Sequence, residues 1–167
     1  MKKIWLAGGC FWGVEAYFMQ LNGVLNTKVG YGQGTTDRPT YQQVCTGTTG
    51  YTEVCEVTYD ERSLSLPKLL EHFFRIIDPT TLNRQGPDQG TQYRTGAYYA
   101  EAEDKAVISN FINKMQPHYP EPIVVEVEAV GRFFPAEEYH QRYLEKTPGG
   151  YCHINLGLAK PDERNKV

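Results

Sequence analysis

The sequence predicts one α+β domain in which helices cover a mixed sheet. Two observations carry this. Stretches of period-two patterning alternate along the chain with stretches of three-and-four apolar spacing, and no repeat or low-complexity run interrupts them. At 167 residues the chain can bury a core without disulfide staples. Connection lengths do not set the strand order.

Residues 2–7 read as a short apolar strand, and Phe11, Val14, Phe18 and Leu21 then recur at helical spacing. Residues 24–32 form a second strand, followed by a turn-rich loop through Gly34, Asp37 and Pro39. Residues 41–44 suit one helical turn. The period-two pattern is clearest over 50–59, where Tyr51, Glu53, Cys55, Val57 and Tyr59 share one face. Ser65 and Pro67 open a helix with Leu69, Leu70, Phe73, Ile76 and Ile77 on its apolar side. Residues 78–94 have no periodicity, and their hydrogen-bonding side chains suggest an ordered loop at a site. A strand at 96–100, a helix at 102–115, a proline-punctuated turn and a strand at 123–127 follow. Pro135 suits the first turn of a helix over 136–145. Residues 1–146 are expected to be the catalytic core, and 147–167 a coil tail of the same domain.

Composition narrows the function. The net charge of −3, from 17 basic and 20 acidic residues without a Lys/Arg-rich run, argues against nucleic acid and membrane partners. No stretch approaches the ~18 apolar residues of a membrane span, and the apolar part of residues 1–7 is short for a signal peptide. A cytoplasmic location is expected. There, Cys10, Cys45, Cys55 and Cys152 are not expected to form structural disulfides. Neither they nor His72, His118, His140 and His153 show metal-ligand spacing, so no metal is expected.

The residues suited to chemistry gather around Gly8-Gly9-Cys10-Phe11-Trp12-Gly13. Cys10 falls where a strand hands over to a helix, a setting that can lower a thiol pKa from about 8.5 to roughly 3.5–7.5. Phe11 and Trp12 look exposed. Glu53 is a carboxylate on an apolar strand face, where burial would raise its pKa and make it a general acid. Phe11, Trp12, Tyr41 and Tyr93 can supply an apolar wall with hydroxyl donors. Asp88, Gln89, Gln92 and Arg94 read equally as site groups or as turn-makers with a salt bridge. Cys152, beyond Gly149-Gly150, is a thiol on a mobile arm that could trap a sulfenic acid. Cys45 and Cys55 look like packing residues.

Taken together, Gly9-Cys10-Phe11-Trp12-Gly13, Val29-Gly30-Tyr31, the block from Tyr41 to Glu53, Asp78-Pro79-Thr80 through Gly90-Thr91-Gln92-Tyr93-Arg94, and Glu138-Tyr139-His140-Gln141 resemble the class A peptide methionine sulfoxide reductases. The resemblance implies a split βαβ, ferredoxin-like core with an irregular C-terminal wrap. It casts Cys10 as nucleophile, Glu53 as proton donor, Tyr41 and Tyr93 as donors to the sulfoxide oxygen, and Cys152 as the resolving thiol. Phe11 and Trp12 would bound the methyl pocket, and Asp88 would hold the site together through water or Tyr contacts. The implied substrates are S-sulfoxides of methionine in oxidised proteins and as the free amino acid. The implied reductant is thioredoxin, with dithiothreitol sufficing in vitro, no cofactor, and a monomer as the working unit. No cysteine follows Cys152, so thioredoxin would attack a Cys10–Cys152 bridge directly. The competing readings are a peroxide-consuming thiol enzyme, a peptide-binding module and a thiol redox sensor.

Overall fold

The structure, a computed structural model, describes residues 1–165. Its elements run β1 (Lys2–Ala7), α1 (Phe11–Met19), β2 (Val24–Gly32), α2 (Tyr41–Cys45), β3 (Thr52–Tyr59), α3 (Leu66–Ile76), β4 (Arg84–Gln85), β5 (Asp88–Gln89), β6 (Gly96–Tyr99), α4 (Ala102–Met115), β7 (Glu126–Ala129), β8 (Phe133–Pro135) and α5 (Tyr143–Lys146). Short 3₁₀ turns join several of them. Six strands form one sheet in the order β7-β6-β1-β3-β2-β8. β3 lies between β1 and β2 and runs antiparallel to both, so β1–α1–β2 is a split βαβ unit. β3–α3–β6 repeats that arrangement around β1, which gives the ferredoxin-like core.

Patterning explains the layers. Every residue of β3 is buried, and its side chains alternate between two hydrophobic clusters. Tyr51, Cys55 and Val57 join the large cluster with Phe11, Val14 and Phe18 of α1 and Leu69 and Phe73 of α3. Val54 faces the other way, against Trp5, Ala7 and Tyr98. Glu53 therefore projects toward α1. The Ser65 hydroxyl caps α3 by accepting the Lys68 N–H at 3.3 Å, and Pro67 occupies its first turn, as the sequence predicts. Residues 78–94 are ordered as expected. They hold the β4–β5 hairpin and a 3₁₀ turn at Thr91–Tyr93.

Three expectations change. The strand predicted over 123–127 begins later, as β7, which pairs in parallel with β6 from Gly96↔Glu126 onward. Its predicted first half is held elsewhere, since the Val124 N–H donates to the Pro79 carbonyl. The helix predicted over 136–145 is broken into a 3₁₀ turn at Glu138–His140 and the single turn of α5. Pro135 instead ends edge strand β8, where a missing N–H is tolerated. The Gln141 side chain bonds both the N–H and the C=O of Val29, and Arg142 adopts φ +53°, so no helix can run through.

The tail is the third. It has little regular structure, but it is not loose. Ile154 and Ala159 are buried, and the Asn165 N–H reaches the Gln20 carbonyl. Glu163 accepts two bonds from Arg75, at 2.7 and 3.0 Å. The apolar surface that a mobile arm would leave wet is covered against α1 and α3. The final two residues of the predicted tail lie outside the described ones. No helix among the described residues is long and apolar enough to cross a membrane.

Candidate active site

β1 feeds the Gly8-Gly9 turn, and α1 starts immediately after Cys10. Gly9 has φ +88°, and a Cβ there would meet Gln85 Cβ at 2.7 Å, so only glycine fits. Cys10 is the N-cap of α1. Its burial overturns one expectation, because the thiol is only 7% exposed. Loss of water pushes its pKa well up, and the nearby Glu53 charge adds to this. The Trp12 backbone N–H pulls the other way and loses. A helix start can stabilise a thiolate only where its field exceeds the desolvation cost. In the resting site, Cys10 is a neutral thiol.

Glu53 comes from β3 and is 1% exposed. Burial raises its pKa to about 8, against an opposing bond from the Phe11 N–H. That bond, 3.1 Å long, ends on Oε1, while Oε2 is buried with no partner among the described residues. At neutral pH the acid proton thus sits on Oε2, a donor that still lacks an acceptor.

Two phenols lie close enough to feel the charge of this carboxyl. Burial first, and then the Glu53 charge, raise the pKa of both Tyr41 and Tyr93, so each keeps its hydroxyl proton. Tyr41 is placed by α2, whose capping box joins Thr40 and Gln43, and by its own N–H donating to Glu137 Oε2 at 3.1 Å. Tyr93 sits on the 3₁₀ turn that the Thr52 hydroxyl ties down by bonds to the Gln92 and Arg94 carbonyls. Thr52 adjoins Glu53 in β3, so one strand places both the acid and the turn bearing Tyr93.

Phe11 and Trp12 separate. Phe11 is 1% exposed, packed against Tyr31 and His140, so it is a core wall rather than an exposed ring. Trp12 is half-buried. Its Nε1–H donates to His140 Nδ1 at 2.9 Å, and its indole stacks on Tyr143 with centroids 3.8 Å apart. It also borders an apolar groove of about 330 Å³ that includes none of Cys10, Glu53, Tyr41 or Tyr93.

Asp88 accepts the Tyr151 hydroxyl at 2.7 Å, a tyrosine contact of the expected kind. Gln92 and Arg94 hold loops: Gln92 bonds the Cys45 carbonyl, and Arg94 pairs with Glu126 at 3.0 Å. Cys55 is packed as predicted, but Cys45 is exposed beside the Tyr41 hydroxyl. A five-residue helix turns Cys45 outward while Val44 fills the core. Cys152 Sγ lies over α1, 3.2 Å from where a Gly13 Cβ would be, and both Cys10 and Cys152 are free. Among the described residues, no cluster of three or more His, Cys, Asp or Glu is placed to hold a metal ion.

The sequence reading passed over the residues that orient Tyr41 and Trp12. Glu137 accepts from the Tyr31 hydroxyl at 2.8 Å as well as from the Tyr41 N–H. His140 joins Trp12 to Tyr41. Buried Glu15 accepts the Arg142 N–H at 2.6 Å and the Thr27 hydroxyl at 2.8 Å, which sets the start of α5 and hence Tyr143. A glutamate within the apolar run of α1 was the available signal for that clamp. Glu15→Ala leaves the Arg142 N–H and the Thr27 hydroxyl without their acceptor. Urea unfolding should show a loss of about 1–3 kcal/mol, with a shift in Trp12 fluorescence as the Tyr143 stack loosens.

Known proteins give the same arrangement a family. Residues 2–166 match the family profile described as peptide methionine sulfoxide reductase. A Clostridium acetobutylicum protein named peptide methionine sulfoxide reductase MsrA is 57% identical over 96% of this chain and 99% of its own length. The crystal structure of Saccharomyces cerevisiae Mxr1 in reduced form superposes with a TM-score of 0.88 at 42% identity, covering 93% of this chain and 91% of that one. Mxr1 in complex with Trx2 superposes at 0.61 and 28% identity, covering 85% and 84%. Family profile, near-full-length identity and backbone agree that this chain belongs to the peptide methionine sulfoxide reductases.

Proposed function

We propose that Cys10 is the nucleophile of this reductase, with Glu53 as proton donor, Tyr41 and Tyr93 as further donors to the sulfoxide oxygen, and Cys152 as the resolving thiol. The observation that carries this is a buried thiol near a buried carboxyl, whose Oε2 has no partner among the described residues and whose charge acts on two phenols. A sulfoxide carries positive charge on sulfur and negative charge on oxygen. Its oxygen supplies the acceptor that Glu53 Oε2 lacks, and its sulfur meets the Cys10 sulfur as the thiol gives up its proton. Oxygen passes from the substrate to Cys10, which becomes a sulfenic acid as methionine leaves. Cys152 then displaces that oxygen as water, and a disulfide forms.

Trp12 and Phe11 bound the methyl group, with Trp12 held by His140 and Tyr143. Asp88 steadies the site through Tyr151. The electrons come from a dithiol, and the likeness to a protein solved in complex with Trx2 makes thioredoxin the proposed donor. No other cofactor is required by this balance. Substrates are the S-sulfoxides of methionine, in proteins and as the free amino acid. Four free thiols suit the reducing cytoplasm, and a monomer is the proposed working unit. None of the charged groups acting most on Cys10 is a cation of the kind that would hold a thiolate for attack on a peroxide. A sulfoxide, whose oxygen accepts the Glu53 proton, suits this site better than a peroxide.

The test is turnover on separated sulfoxide epimers with dithiothreitol. Many equivalents of methionine per protein, from the S epimer, are expected. One equivalent or less would leave only a redox sensor or a binding module. Cys152→Ser is expected to release the first methionine at the normal rate and lose thioredoxin-supported turnover, as a rapid-quench burst without a steady state would record.

A further inference from the structure

Cys152 is followed by a histidine whose ring lies on the turn that presents Cys10. His153 Nε2 is 3.0 Å from the Gly8 carbonyl oxygen. A carbonyl only accepts, so Nε2 carries the proton, and Nδ1 is a bare nitrogen, buried and without a partner among the described residues. Leaving a buried acceptor unpaired has a cost, so the Gly8 bond must hold the ring against it. The contact is close. A Cβ on Gly9 would come within 2.9 Å of His153 Nε2. Beyond Cys10, the buried Ile154 side chain lies over Gly13, where Cys152 Sγ also rests. The thiol itself faces the Ile154 carbonyl at 3.2 Å. The resolving segment is thus laid across the start of α1, anchored before the nucleophile by His153 and after it by Ile154.

We propose that His153 is the positioning residue of the resolving step, its Nε2–H bond to Gly8 setting the reach of Cys152 to the sulfenic acid on Cys10. This rests on the roles proposed above for Cys10 and Cys152. In that step the Cys152 S–H and Cys10 S–O bonds break and the S–S bond forms. The thiol proton leaves on the departing oxygen as water, Cys10 sulfur is reduced and Cys152 sulfur is oxidised, with no outside reagent. The rate depends on how long the second sulfur stays within reach, because a tethered thiol reacts at the effective concentration its tether allows. Gly149 and Gly150 precede the segment and contribute no side chain to restrain it. The histidine bond restrains it instead, on the same turn that sets the position of Cys10.

The experiment is a single turnover. Reduced protein is mixed with one equivalent of a methionine sulfoxide peptide, without reductant, and quenched over time with dimedone to trap sulfenic acid. His153→Ala is expected to form methionine at the wild-type rate and to accumulate dimedone-labelled Cys10, with disulfide closure slowed about tenfold or more. His153→Gln, whose amide N–H can reach the same carbonyl, should close within about threefold of wild type. Closure at the wild-type rate in His153→Ala, or closure in His153→Gln as slow as in His153→Ala, would overturn the assignment of His153 alone. If the wild-type protein forms no methionine, or closes no Cys10–Cys152 bridge, the assignments of Cys10 and Cys152 fail first and take this one with them. Equal methionine release by all three proteins is the control for folding.

Discussion

Cys10→Ser is expected to lower methionine formation by about 10⁴-fold or more, the scale on which hydrolases lose rate when their nucleophile is removed. A serine hydroxyl is far harder to ionise than a thiol, and its oxygen cannot take up the sulfoxide oxygen and later yield a disulfide. The fold should not suffer. Cys10 is the N-cap of α1 and makes no capping hydrogen bond there, whereas serine is among the preferred N-cap residues. A melting temperature equal to or above wild type, with turnover lost, is the expected pair of results. Retained turnover would show that another sulfur does the work, and a large fall in melting temperature would show that Cys10 is a packing residue after all. The comparison also exposes a compromise, since the position that suits a nucleophile is one where a better cap would be more stable.

Glu53→Gln is expected to slow sulfoxide reduction by about 10²–10⁴-fold, the range for a missing general acid. The amide keeps the shape and a donor but has no proton to give. The pH dependence separates this from a steric effect. Wild-type activity should fall as pH rises through about 8, where Glu53 loses its proton, and Glu53→Gln should lack that limb. Stability should move in step. Because the folded pKa lies above that of the unfolded chain, the native state binds the extra proton between the two values. Its contribution is full below about 4.5 and is lost as pH rises toward about 8. The slope cannot exceed ~1.4 kcal/mol per pH unit for one group. Glu53→Gln should flatten this slope and melt higher than wild type above pH 8. Denaturant titrations at several pH values measure it, and parallel curves for the two proteins would mean that Glu53 is ionised throughout.

Much of the site was readable from local rules. The alternation of β3 put Glu53 on the face of Tyr51 and Cys55, and that face does turn inward against α1. What the structure adds at Gly9 is the crowding: a side chain there would meet Gln85 and His153. Other readings failed where distant chain supplied the deciding group. Helical spacing over 136–145 was overruled by Gln141, which bonds the backbone of β2, and by Arg142, held with φ +53° and its N–H on Glu15. Phe11 looked exposed beside Trp12 until Tyr31 and His140 closed over it. Cys45 looked like packing, but which side of α2 meets the core is not encoded in five residues.

By itself the sequence determined the strands and helices from β1 to α3 together with β6 and α4, that a thiol stands at the start of the first helix, and that a carboxylate shares an apolar face. Backbone sterics and side-chain periodicity act over a few residues, so they are written locally. Only the tertiary structure decided the charge states. Desolvation depends on everything packed around a group, and here it leaves Cys10 a thiol despite the helix start and leaves Glu53 holding its proton. It also decided that the tail is held down, with His153 and Ile154 fixed beside a turn that lies far from them in the chain.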